Sequence, residues 1–318
     1  MKPWLAMLFV IAWPPVQAGC TSARLQSCSL EEEPSFEGWH GKIALAYTST
    51  EGRIYQCVVV LDAEQRSARA FGWTDVTGFW NEWIALSPDA SRIAFAASFD
   101  PNEPYRVGTA TRDGEDVRAI TSPELRSFDP VWAPDAQSIV YVGDPQNRNA
   151  FSILRVRPDG AGGSALAMSS VGRVGLSPDG QRIAFVDGGI AVAGVDGQGR
   201  LQLTTTPVGA MQYGPWWSPD GASIVYVEGR GPNVTGNRQP PYTYDVRVVG
   251  ADATGDRLVY QISMQEWWGD VFPMWSPDGS QIAVNDGTAV MIVDATGENP
   301  RPIFGPRRSG AGAPSWVP

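Results

Sequence analysis

A ten-residue unit recurs five times in this chain, at Leu86–Phe95, Trp132–Tyr141, Leu176–Phe185, Trp217–Tyr226 and Trp275–Val284. Each copy runs from a large apolar residue through Ser/Ala-Pro-Asp-Gly/Ala to Ile-(Ala/Val)-(Phe/Tyr/Val). Self-similarity at a period of 20–50 residues marks repeat architectures and outweighs any local signal. The repeat prolines, at 88, 134, 178, 219 and 277, are 46, 44, 41 and 58 residues apart, and a truncated copy closes the chain at Trp316-Val317-Pro318. Proline presets the first corner of a tight turn, aspartate bonds back to nearby amides, and glycine takes the positive φ that follows. The unit is therefore strand, corner, strand. A second hairpin signal follows most copies, at Asp113-Gly114, Asp159-Gly160, Asp196-Gly197 and Asp294–Gly297. Four short strands in about 45 residues make one propeller blade.

The ends interlock. Gly41–Tyr47 matches the second strand of a blade, and Ala313–Val317 matches an innermost one. Their pairing would close a ring and remove the sheet edges that invite aggregation. The expected fold is all-β: a six-bladed β-propeller of four-stranded antiparallel blades over 39–318, closed by the C-terminal strand on the N-terminal blade. The repeats resemble the PD-type, WD-like propeller repeats of the TolB family, the periplasmic component of the Tol–Pal system. That resemblance implies a scaffold that usually binds proteins. It does not extend to the α/β domain that precedes the propeller in TolB, because only about 18 residues lie between Cys20 and the first blade.

Residues 1–19 read as a secretory signal: Lys2, the apolar run Leu5–Trp13, then Ala18 and Gly19 before Cys20. The segment resembles the bacterial lipoprotein box, which implies a lipid on Cys20, with plain cleavage as the alternative. Thr21 follows rather than Asp, so the analogy favours the outer membrane, facing the periplasm or the cell surface. Residues 20–38 are expected to be a tether. In an oxidising compartment Cys28 and Cys57 either form a disulfide strapping that tether to the first blade or remain buried thiols.

Tight corners occupy one face of the ring, so the irregular loops share the other, and function tends to sit on variable loops carried by a rigid frame. The loop face is the candidate binding surface. Its longest excursion, Glu228–Tyr242, accounts for the spacing of 58. Candidate binding residues at the channel mouth and on its loops are Trp80, Glu82, Asp129, Arg173, Tyr213, Trp267, Trp268 and Asp270. The alternative for the charged ones is a solvated rim with internal ion pairs, and for the tryptophans, including Trp39, Trp73 and Trp216, packing over the blade tops. Trp132, Trp217, Trp275 and Trp316 share a repeat column with Leu86 and Leu176 and should pack between blades.

A net charge of −10 argues against nucleic-acid and anionic-lipid partners, so contact with a membrane is expected only through the N-terminal anchor. No enzyme is expected. His40 is the sole histidine, no zinc spacing occurs, and neither a nucleophile elbow nor a phosphate loop is present. No cofactor or metal is anticipated. The expected function is a monomeric envelope binding module for a protein or peptide segment. The alternatives are a carbohydrate-binding or carbohydrate-cleaving propeller, with Glu82 and Asp270 as a carboxylate pair, and a purely structural lipoprotein.

Overall fold

The computed structural model describes residues 25–28, 30, 33–49, 55–73, 84–100, 102–144, 151–166, 173–230, 242–264, 271–286, 289–305 and 314–318. They form strands and turns and, among the described residues, no helix. Six antiparallel sheets follow one another around a ring. The innermost strands are Ser315–Val317, Ile84–Leu86, Arg126–Trp132, Gly175–Leu176, Met211–Trp217 and Pro273–Trp275 for blades 1 to 6.

Ring closure pairs the two ends of the chain. Lys42, Ile43 and Ala44 lie opposite Val317, Trp316 and Ser315. The closing strand is also fastened sideways. Ser315 Oγ accepts from Leu86 N in blade 2 at 2.8 Å, and Trp316 Nε1 donates to His40 O at 2.6 Å. Trp39, buried, meets Trp316 edge-on with ring centroids 6.0 Å apart.

Blade 1 differs from the four-strand expectation. Its sheet has a fifth strand, Leu25–Ser27, paired outside Ser67–Trp73 in register Leu25 to Trp73. The stretch read as a tether is thus partly built into the fold. Cys28 follows this strand and is bonded to Cys57 in Tyr55–Asp62, with a Cα–Cα distance of 6.3 Å.

The Ser-Pro-Asp corners are small hydrogen-bonded cycles. In blade 6, Ser276 Oγ donates to Asp278 at 2.6 Å, Ser280 N donates to the same carboxylate at 3.0 Å, and Gln281 N donates to Ser276 Oγ at 2.9 Å. Equivalent bonds recur around Asp89, Asp179 and Asp220, and these acceptor bonds hold all four carboxyls below the usual carboxylate range. Glycine supplies the corner's positive φ at 180, 221 and 279, but alanine does so at 90 and 136, with φ of 54° and 57°. A left-handed alanine costs roughly 1–2 kcal/mol that glycine avoids. Ala136→Gly is therefore expected to raise stability by up to about 1 kcal/mol, after the added unfolded-state freedom of glycine is subtracted. A shift in denaturant midpoint measures it.

The aromatic column Phe95, Tyr141, Phe185 and Tyr226 is buried between blades, and the tryptophan column ties blade to blade. Trp132 Nε1 donates to Ala85 O at 3.0 Å and Trp217 Nε1 to Gly175 O at 3.2 Å. Trp73 is not a loop residue. It ends the strand Ser67–Trp73, stacks on Phe95 at 5.0 Å, and donates to Gly114 O. Trp39 and Trp73 thus fill the core.

Candidate functional site

The innermost strands start at the end of the ring opposite the Ser-Pro-Asp corners. Blade 5 shows the polarity of this arrangement. Ser223 leaves its corner, and Glu228–Arg230 carry the strand to the other end, paired with Thr243–Asp245. The long excursion therefore begins on the loop face, and its middle, 231–241, lies outside the described residues.

Three of the residues singled out in the sequence lie at this end, and two of them, Arg173 and Tyr213, meet through Phe272. Asp129, in blade 3, is 6% exposed and sits at φ 52°, where the pairing with the next strand shifts between Val140 and Val142. Blade 5 has the same device: its register shifts between Tyr213 and Trp216, and Gly214 holds φ 62°. Both positions precede a proline. The backbone thus asks for glycine in both blades, and blade 3 supplies a buried carboxylate instead, one of the few side chains tolerated in that region.

Arg173 enters blade 4 just before its innermost strand and is 5% exposed. Its guanidinium carbon lies 3.9 Å from the centre of the Phe272 ring in blade 6. Such a contact is worth about 2 kcal/mol where water is excluded. Phe272 meets Tyr213 of blade 5 edge-on at 5.7 Å and 80°. Tyr213 Oη accepts from Val271 N at 3.3 Å, and Asn285 Oδ1 accepts from Phe272 N at 2.8 Å. Blades 4, 5 and 6 are locked together here by one cation, two rings and the Val271 amide, while the Phe272 amide is held within blade 6.

A polar string backs this cluster. Thr204 Oγ1 donates to Gln212 Oε1 at 2.5 Å, Gln212 Nε2 donates to Glu228 Oε2 at 3.0 Å, and Arg230 pairs with Glu228 at 2.9 Å. In blade 3 the fully buried Asp144 side chain pairs with Arg126 at 3.0 Å. Gln212, Glu228, Phe272 and Asn285 were not singled out in the sequence. Glu228 carried a signal, a carboxylate in an otherwise apolar strand; Gln212 and Phe272 fall in the aligned approaches to the innermost strands, where Tyr213 and Asp270 stand out as the polar groups, and Asn285 reads as an ordinary strand residue.

The exposed surface of this end is mixed: Asp100, Asn102, Glu124 and Arg230 are polar or charged, and one turn is apolar. The turn Pro207–Ala210, closed by Ala210 N to Pro207 O at 3.1 Å, leaves Val208 fully exposed, and Met211 beside it is 41% exposed. Trp80, Glu82, Trp267, Trp268 and Asp270 lie outside the described residues, as does Cys20. Among the described residues no group of three or more His, Cys, Asp or Glu is placed to hold a metal ion. His40 is at the corner end of the ring, beside Glu64 and Asp278.

The geometry defines a class, the six-bladed propeller closed by its own last strand. No family model matches the chain. Among solved structures, TolB from Acinetobacter baumannii is similar over 87% of this chain and 67% of its own, with 18% identity and a TM-score of 0.66. A TolB candidate from Agrobacterium tumefaciens is similar over 88% of this chain and 100% of its own, at 17% identity and a TM-score of 0.54. A propeller in the nidogen/laminin complex is similar over 86% and 98%, at 13% identity and a TM-score of 0.62. The shared feature is the fold, and the TolB-like propeller inferred from the repeats is the one the chain adopts.

Proposed function

We propose that the chain is an envelope binding module that docks a protein segment on its loop face. The observation that carries this reading is the pairing of a rigid base with an apolar tip. Arg173, Phe272 and Tyr213 are fixed by three blades, so little ordering entropy is lost on binding. Above them Val208 and Met211 offer uncovered apolar surface. Asp129 adds a carboxylate held in a strained backbone, a feature that clusters at binding sites. Similarity to a propeller seen in a complex with laminin supports a protein partner. In this reading the lipid on Cys20 tethers the ring to the outer membrane, and the excursion after Arg230, with Trp80, Trp267 and Trp268, widens the contact surface.

A photoreactive residue at Val208, in intact cells that express the chain, should trap one defined envelope protein. Val208→Asp with Met211→Asp should lower that capture at least tenfold while the unfolding midpoint stays put. Capture unchanged by the double variant would overturn the reading.

A further inference from the structure

The tight-corner face carries a second concavity, on the axis of the ring. A cavity of about 360 Å³ opens there, within the range of about 300–1,000 Å³ typical of ligand pockets. Every blade contributes to it. Its rim is a ring of prolines, Pro88, Pro134, Pro178, Pro219, Pro277 and Pro318, and its floor is the tryptophan and leucine column. A second cavity of about 310 Å³ adjoins it at the seam between blades 6 and 1, sharing Ser276, Pro277, Trp316 and Pro318, and is lined further by His40, Glu64, Asp278 and Gln281.

Two independent features define what would fit. The central lining is almost wholly apolar, so it selects a bulky apolar side chain. A carboxylate follows each of five rim prolines, at Asp89, Asp135, Asp179, Asp220 and Asp278, and none of these is in an ion pair. Four of them are held ionised by their own corner hydrogen bonds. The crown is therefore acidic; Arg182, stacked over Trp217, offsets it beside Asp179, while Asp135 and Asp278 have no cation paired with them among the described residues.

We propose that this mouth is a second binding site, opposite the loop face, for an extended peptide segment carrying one bulky apolar residue next to a lysine or arginine. The apolar side chain fills the axial cavity. The basic one lies over Asp278 and the neighbouring seam cavity. Residues one or two apart in an extended chain are separated by about 3.8–6.8 Å, and the two cavities adjoin through their shared lining.

The test is selection of a phage-displayed library of random linear dodecapeptides on the full chain. The selected peptides should share a Leu, Met or aromatic residue with Lys or Arg within two positions. Pro178→Trp, an exposed corner change that obstructs the mouth, should weaken a selected peptide at least tenfold, and so should Asp135→Lys with Asp278→Lys. Asp278→Asn, which keeps the acceptor for Ser276 and Ser280, separates loss of charge from loss of the corner and should weaken binding by about threefold. Val208→Asp with Met211→Asp should have no effect, so this site and the loop face stand or fall separately. The proposal is overturned by a selection that enriches nothing, by acidic or uncharged consensus peptides, or by binders indifferent to the mouth variants and lost with the Val208 pair.

Discussion

Trp316→Ala is expected to destabilise the ring by about 3–5 kcal/mol, the cost typical of removing a buried aromatic side chain. The indole is 6% exposed and performs several tasks at once. It sits on the strand that pairs with Lys42–Ala44, packs edge-on against Trp39, and donates to His40 O. A cavity at this position would loosen the one seam that no covalent continuity supports. Trp316→Phe separates the contributions. It keeps most of the ring contact and loses the indole hydrogen bond, for an expected cost nearer 1 kcal/mol. Denaturant unfolding of both variants measures the difference, with protease sensitivity at the blade 1 seam as a second readout. If Trp316→Ala cost less than 1 kcal/mol, the closing strand would not be what holds the ring shut.

Loss of the Cys28–Cys57 bond is expected to cost about 2–4 kcal/mol, since cross-links of comparable loop length constrain the unfolded chain by this much. The cysteines are 29 residues apart, and the loop between them contains the strand Lys42–Ser49 that receives the closing strand. Cysteine-to-alanine replacement at both positions is the cleaner variant, because Cys57 is buried and a serine there would need a hydrogen-bond partner. The local effect should exceed the global one. Cys28 N donates to Ala70 O at 3.3 Å, and Leu25–Ser27 is a three-residue strand on an outer edge. Without the bond this strand should detach, and amides of Phe71–Trp73 should lose hydrogen-exchange protection. Unchanged protection there would show that backbone pairing alone keeps the fifth strand in place.

Much of the architecture was legible because the repeat column encodes it directly. A proline and an aspartate at each corner, with an apolar strand on either side, allow few other solutions. The pairing of Gly41–Tyr47 with the chain's last strand could be read from which half-blade each end lacked. The fifth strand could not, because Leu25-Gln26-Ser27 is too short for a periodicity signal and is held by Cys28 rather than by its own pattern. The site was less accessible. Asp129, Arg173 and Tyr213 were found by aligning approaches to the inner strands, but that alignment pictured polar groups converging in an open mouth. Instead Arg173 lies on an aromatic ring and Asp129 occupies a glycine-like backbone, both out of solvent. Pairings between blades depend on side-chain reach across the ring, which a linear sequence does not express. The corner face gives little signal in the sequence, because its turns are short and regular; the apolar mouth at the axis arises only when five corners and Pro318 come together in the ring.

The arrangement of blade 1 has a consequence for the order in which the molecule can fold. Five blades are built from neighbouring segments, whereas the bond from Leu86 N to Ser315 Oγ spans 229 residues. Such a distant contact must await the rest of the chain and sets the slow step of folding. Until it forms, Lys42–Ser49 presents an unpaired margin to any extended chain nearby, so the nascent protein is most vulnerable to mispairing just before its final residues arrive.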